Sequence, residues 1–221
     1  MITLALDAST YVGSVALLDG LRVLAEKSVA MKGAEHERLM PAIVDVLRRG
    51  GVQVDDLSRV VCGEGPGSFT SLRIAGAIAK GIASGVGIPL YAVPSMALVV
   101  AGASLSVGRY LVVVDALRGE AYVGLYDVQS GGAIDELERP RLMPVTDIAS
   151  VAAEYDARTV GPAENLASIL ANPIASGIAS LEPWLSQRAP VDLAAWEPSY
   201  GRLAEAQVRW ETTHGRPLPT G

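Results

Sequence analysis

The sequence predicts an α/β fold of two tandem units of similar design, each a mixed sheet with helices. Recurrence is the first observation. "LALDASTYVGSVALLDG" from Leu4 and "VVVDALRGEAYVGLYDV" from Val112 both run an apolar strand into an Asp, turn, and run a second strand to another Asp. The spacing is twelve residues each time, Asp7 to Asp19 and Asp115 to Asp127. Further on, "RVVCGEGPGSFTSL" and "RTVGPAENLASIL" each read as a strand, a Gly-Pro turn and a helix start, so order and spacing recur together as duplication requires. Composition is the third observation: 221 residues, 50% hydrophobic and 19% charged, suffice for one large domain or two small ones with a real core. The join is expected near residues 103–108, giving units 1–106 and 107–221.

"MITLALD" enters a strand at once without a basic segment before it, which reads as the absence of a signal peptide. The first helix is expected over about 34–49, in "GAEHERLMPAIVDVLRRGG", kinked by Pro41 and stopped by Gly50-Gly51. Leu39, Ile43, Val46 and Leu47 form one stripe with Met40 and Val44 beside it. Glu37, Arg38, Asp45, Arg48 and Arg49 fill the remainder, and His36 reads as part of a solvated helix start.

The second helix, about 69–84, takes Ser68 as its N-cap. Leu72, Ile74, Ala75, Ile78, Ala79, Ile82 and Ala83 leave little polar surface beyond Arg73 and Lys80, and Ala75, Ala79 and Ala83 make a small-residue ridge. A helix apolar nearly all round is buried on more than one side. A sheet accounts for one side; the surplus meets either a partner or a larger internal core. The candidate contact set is Leu39, Met40, Ile43, Val46, Leu47, Arg73, Ile74, Ala75, Ile78, Ala79 and Ile82.

Residues 81–108 carry no charge and are long enough to span a bilayer. Pro89, Pro94, Gly81, Gly85, Gly87 and Gly102 interrupt the run, so a helix, a Gly stop, the strand "IPLYAV" and a Ser95-capped helix describe it better. The net charge of −6 lies entirely in the second half: nine basic against nine acidic residues up to 106, then nine against fifteen. Without a basic stripe the chain alone should bind nucleic acid weakly. The single cysteine, Cys62, allows no internal disulfide and suits a reducing cytoplasm.

Asp7, Ser9 and Thr10 on the first hairpin, Gly65, Gly67 and Ser68 in the glycine loop, and Asp115 on the second hairpin form a candidate anion or nucleotide site. Turn amides and a helix start attract anions, and a carboxylate orients a metal. The same residues have a simpler use, because Asp at a strand end accepts turn N–H bonds. No Walker pattern exists, Pro66 removes one donor, and no cation lies in the loop. No catalytic set is complete. His36 and His214 are far apart, and no metal-ligand spacing occurs. Cys62 ends a buried strand, Ser68 is not in a G-x-S-x-G elbow, and Asp115, Arg118 and Glu120 read as a hairpin ion-pair set.

The two-unit layout resembles the actin, Hsp70 and sugar-kinase superfamily (ASKHA, ribonuclease H-like), whose domains face each other across a nucleotide cleft. More closely, "LALDAST", "GPGSFTSLRIAGAIAKGIA", "IPLYAVPSM", "VVVDALRGEAYVGLYD" and "EPSYGR" together resemble the bacterial TsaB (YeaZ) family, over about residues 2–126 and thinly beyond. That resemblance implies a paralogue of TsaD, which transfers a threonylcarbamoyl group to adenosine 37 of tRNA. TsaD-like chains carry a His-x-x-x-His metal pair after "GIP"; Ser95 and Val99 stand there in this sequence and cannot hold iron or zinc. The resemblance therefore implies a cytoplasmic, non-catalytic subunit without a cofactor or metal of its own. It would dock on TsaD through its N-terminal helices, with ATP or ADP at that contact as an expectation. Self-association as a homodimer, a larger complex with the TsaE ATPase and only indirect contact with tRNA are further expectations. Two alternatives stay open at this stage: a nucleotide-dependent phosphotransferase of the same fold, and a metallopeptidase, which would need the missing metal pair.

Overall fold

The computed structural model describes residues 1–32, 37–201 and 213–215. His36 and the expected helix start at 34–36 lie outside the described residues. The first sheet contains β1 (Ile2–Asp7), β2 (Val12–Asp19), β3 (Arg22–Ala30), β4 (Arg59–Gly63) and β5 (Leu90–Val93), in the order β3-β2-β1-β4-β5. The second contains β6 (Gly108–Asp115), β7 (Glu120–Val128), β8 (Ile134–Pro144), β9 (Arg158–Gly161) and β10 (Ile169–Leu170), in the order β10-β9-β6-β7-β8. The connectivity is the same in both. The first three strands form an antiparallel meander, and the fourth and fifth add in parallel beside the first. The α/β fold of two mixed-sheet units is thus present, and the hairpins that signalled it pair in register, Leu4 with Leu17 and Val113 with Val123.

Among the described residues the sheets are covered by α1 (Leu39–Gly50), α2 (Phe69–Val86), α3 (Ser95–Gly102), α4 (Ile148–Glu154) and α5 (Glu182–Leu185). Alternation along the strands decides the layers, because successive side chains point to opposite faces. Leu4 and Leu6, with Val15 and Leu17, meet Leu39, Ile43 and Val46 of α1 and Ala75, Ala79 and Ala83 of α2. Ala5 and Ala16 turn the other way, into a core shared with Met96, Leu98 and Val100 of α3 and with Tyr110, Val112 and Val114 of β6. Beyond the second sheet, Leu111, Val113 and Val123 pack on Ile148 and Ala152 of α4. The layers therefore run α1/α2, first sheet, α3, second sheet, α4.

Several local expectations change. Pro41 is the third residue of α1, where its missing N–H is one the helix does not use, so it begins the helix rather than kinking it. The Glu37 carboxylate accepts from the Met40 amide at 3.0 Å and caps the helix. Ser68 and Pro94 occupy the N-cap positions of α2 and α3 without side-chain capping bonds. "RTVGPAENLASIL" does not become a helix: after β9 it makes a short turn at Ala163–Ala167 and enters β10. Three hydrogen bonds between Ser168 and Thr159 hold it extended there. The uncharged run 81–108 is divided among α2, β5 and α3, with Gly87 (φ 76) ending α2. Among the described residues no helix is long and apolar enough to cross a membrane.

Candidate partner-docking surface and a closed glycine loop

The structure brings Asp7, Ser9, Thr10, Gly65, Gly67 and Ser68 into one neighbourhood, and its chemistry is inward-looking. Asp7 is fully buried. Its carboxylate accepts from Ser9 N (2.9 Å), Ser9 Oγ (2.9 Å) and Ser95 Oγ (2.5 Å). Burial pushes this carboxyl above its ordinary value, against the hydrogen bonds from Ser95 and Ser9. Two of the loop amides bond within the protein: Gly65 N donates to Ser95 Oγ at 2.9 Å and Ser68 N to the Ser9 carbonyl at 2.7 Å. Thr10 folds back on Val12, and the Ser68 hydroxyl turns to Ser71.

Close approach explains the glycines. A Cβ on Gly67 would stand 2.0 Å from the Ser9 carbonyl oxygen, and one on Gly63 would stand 1.9 Å from the Asp7 carboxylate. At these two positions the missing side chains make room for the protein's own carbonyl and carboxylate. Asp115 is not part of this cluster. It ends β6 in the second sheet, is exposed, and its carboxylate accepts from Leu117 N at 2.7 Å, the turn-stabilising role. Cys62 is buried, and burial pushes its thiol well up, which fits packing rather than nucleophilic attack. Ser95, joined to both Gly65 and Asp7, and Val99, fully buried in the central core, fill the segment after "GIP". Among the described residues no cluster of His, Cys, Asp and Glu that could hold a metal ion occurs.

The candidate contact residues divide sharply. Leu39, Ile43 and Val46 of α1 and Ala75 and Ala79 of α2 belong to the core under the first sheet, so they are not available to a partner. The expected ridge of Ala75, Ala79 and Ala83 faces the sheet for the same reason. The outer surface carries other residues. Met40 (40%) and Val44 (59%) of α1 are exposed, with Leu47 half-buried between them and the core. On α2, Ile74, Ile78 and Ile82 are half-buried, while Arg73, Ala77, Gly81 and Gly85 are exposed.

Helical spacing orients these sets. Asp45 and Arg49 reach the β3 side, where Asp45 pairs with Lys27 at 3.1 Å and Arg49 donates to the Glu26 carbonyl at 3.1 Å. At 100° per residue, Met40, Val44 and Leu47 then lie on the flank away from β3, toward α2 on the same face of the sheet. Ala77, Gly81 and Gly85, four residues apart, form the exposed small-residue ridge; a Cβ at Gly81 or Gly85 would meet nothing within 4 Å. Sequence reasoning missed this ridge, although its spacing was available, because alternatives with the same period sat on the buried side.

Known proteins share this architecture and sequence. The chain matches the family described as "TsaD: tRNA N6-adenosine threonylcarbamoyltransferase" over residues 30–172. A Bacillus subtilis (strain 168) protein named tRNA threonylcarbamoyladenosine biosynthesis protein TsaB is 30% identical over 228 residues, covering 95% of this chain and 98% of that one. The Escherichia coli (strain K12) protein of the same name is 35% identical over 132 residues, 58% of this chain and 56% of that one. YeaZ from Pseudomonas aeruginosa superimposes with a TM-score of 0.75 at 28% identity, over 90% of this chain and 99% of that one. A further Pseudomonas aeruginosa structure, described as an uncharacterized protein with similarity to peptidase YEAZ, gives 0.75 at 26% identity, over 91% and 99%. The two-subdomain, actin-like reading of the fold stands with these neighbours. Its sequence along nearly its whole length and its paired sheets together make this chain a member of the TsaB (YeaZ) family.

Proposed function

We propose that this chain is a non-catalytic subunit in the formation of threonylcarbamoyladenosine in tRNA, and that it works by docking on a TsaD-type transferase. Relatives named for that biosynthesis give the pathway. The observation that carries the docking role is the outer face of α1 and α2. Met40, Val44 and the Ile74-Ile78-Ile82 row are only partly covered, beside a ridge of Ala77, Gly81 and Gly85 that lets another helix approach closely. Covering a few aliphatic side chains contributes about 1.5–3 kcal/mol each when burial is complete. Elsewhere, Asp7 and the Gly65 and Ser68 amides are bonded to protein, and Ser95 and Val99 are buried.

On this reading the same face supports self-pairing, the TsaE ATPase joins through the TsaD complex, and tRNA is contacted chiefly by the partner. Any ATP or ADP sits at the TsaD contact. The direct test is co-purification with the cognate TsaD, followed by a tRNA modification assay with and without this chain. A stable complex and modification that depends on the chain are expected. No complex, with modification unchanged on deletion, would end the proposal. Calorimetry of the isolated chain with ATP and magnesium separates the phosphotransferase alternative: tight binding that collapses in Asp7→Ala would favour it.

A further inference from the structure

Residues 191–201 leave the second unit after α5 and run back along the first. Val191 N donates to the Leu90 carbonyl at 2.8 Å, Lys80 Nζ to the Trp196 carbonyl at 2.8 Å, and Ser199 N to the Glu64 carbonyl at 2.6 Å. Pro198 is buried on α2 over Gly76, where a Cβ would come within 2.9 Å of the proline ring. The Tyr200 ring lies 4.5 Å, centroid to centroid, from Phe69 at the start of α2. The second unit then takes hold of the end of the segment. Tyr122 Oη, on β7, donates to the Tyr200 carbonyl at 3.2 Å. Gly201 is wedged between the units: a Cβ there would fall 2.4 Å from the Tyr122 ring and 2.9 Å from Pro66.

The segment thus begins in the second unit, crosses to the first, and ends in a contact shared by both. We propose that residues 191–201 are a latch that fixes the two units against each other beside the glycine loop. Two-lobed bodies joined by a short connection rotate about it unless something opposes the motion. Here the units already share the core around α3, and Ser14 Oγ on β2 donates to the Pro173 carbonyl at 3.2 Å and accepts from Ala175 N at 2.8 Å. The Arg59–Glu182 pair adds a further tie, with 2.5 Å between Arg59 Nη2 and Glu182 Oε2. The latch holds the side beside the glycine loop, anchored at Leu90, Lys80, Glu64, Phe69 and Tyr122. A body held this way presents α1 and α2 in one fixed orientation, with no domain closure of its own.

The test labels the full chain with spin probes at Leu21→Cys and Leu170→Cys, both well exposed at 62% and 57% and one on each unit. Buried Cys62 stays unlabelled. Double electron–electron resonance then reads the distance between the units, and hydrogen exchange reads the Ser199 amide. With the latch intact a single narrow distance is expected. In Tyr122→Phe/Tyr200→Ala the distribution should broaden toward longer separations, with Ser199 exchange faster by about three- to tenfold, the loss of roughly one hydrogen bond. Tyr122→Phe alone removes a single hydroxyl; should the double variant not fold, it must show the same two changes in smaller measure. A distribution that stays narrow while Ser199 exchange rises would overturn the latch, and so would unchanged exchange.

Discussion

The two units share one sheet order and differ in what covers it. Between its third and fourth strands the first unit has α1, twelve residues long; the second has α4, with seven. After the fourth strand the first unit has the 18-residue α2, whereas the second has a short turn leading directly to β10. The equivalent aspartates differ as well: Asp7 is sealed among hydroxyls, and Asp115 sits exposed in a turn. The two units keep one backbone frame, and the longer, partly exposed apolar helices lie on the first of them. A frame repeated twice thus gains a one-sided surface, which suits a subunit that must be gripped from a single direction.

Truncation in the two helices gives the largest expected effect and shows what they have in common. Ile43→Ala on α1 and Ile148→Ala on α4 both empty a buried site and should each destabilise by about 2–5 kcal/mol in denaturant titrations. A near-zero loss at Ile43 would put that side chain back on the docking face. Next comes the tie between units. Arg59 is 8% exposed and also bonds Thr3 at 2.9 Å, so Glu182→Ala leaves a guanidinium buried without its anion. A loss of about 3 kcal/mol is expected, with the units still melting in one calorimetric transition. Two resolved transitions would show that they are independent.

The smallest effect belongs to the buried carboxyl of the first unit, Asp7. Burial raises Asp7 above its ordinary 3.8, and it also raises Glu64 and Glu136 above 4.5, with Arg188 opposing at both. A carboxylate whose folded value is raised binds its proton more tightly when folded. Its stabilising contribution is complete below the unfolded value and is lost as pH rises through the folded one. Stability should therefore decline from about pH 4 upward through the raised values. Asp7→Asn keeps an acceptor for Ser9, should flatten that decline, and should change stability at pH 7 by no more than about 1 kcal/mol, toward greater stability. Thermal melts across pH would check this, and a steeper decline in Asp7→Asn would reverse the sign of the argument.

Much of the frame was legible in the sequence because hairpins leave a local signature. An apolar strand, an Asp and a fixed return length are enough to find β1–β2 and β6–β7. The third strands were not found: "IDELERPRLMP" alternates apolar and charged residues only in part, with Pro140 inside it. Residues 191–201 have no period at all, so their return to α2 depends on contacts made far along the chain. The packing of the glycine loop was not legible for a chemical reason, since glycine admits a carbonyl as readily as a phosphate. In α1 and α2 the sequence reports how many apolar side chains exist, but a sheet claims some of them. Which face it claims follows from the tertiary positions of Asp45, Arg49 and β3, which periodicity does not contain.

The claim that this one-sided surface is the working part of the molecule is most directly tested by titrating the cognate TsaD with the chain and with Val44→Glu/Ala77→Arg, using Ala149→Arg on exposed α4 as the control. The double variant should melt like the parent and bind at least about tenfold more weakly, a difference of about 1.4 kcal/mol, while the α4 control binds as the parent does. Equal affinity for parent and double variant, or a greater loss in the α4 control, would contradict the account.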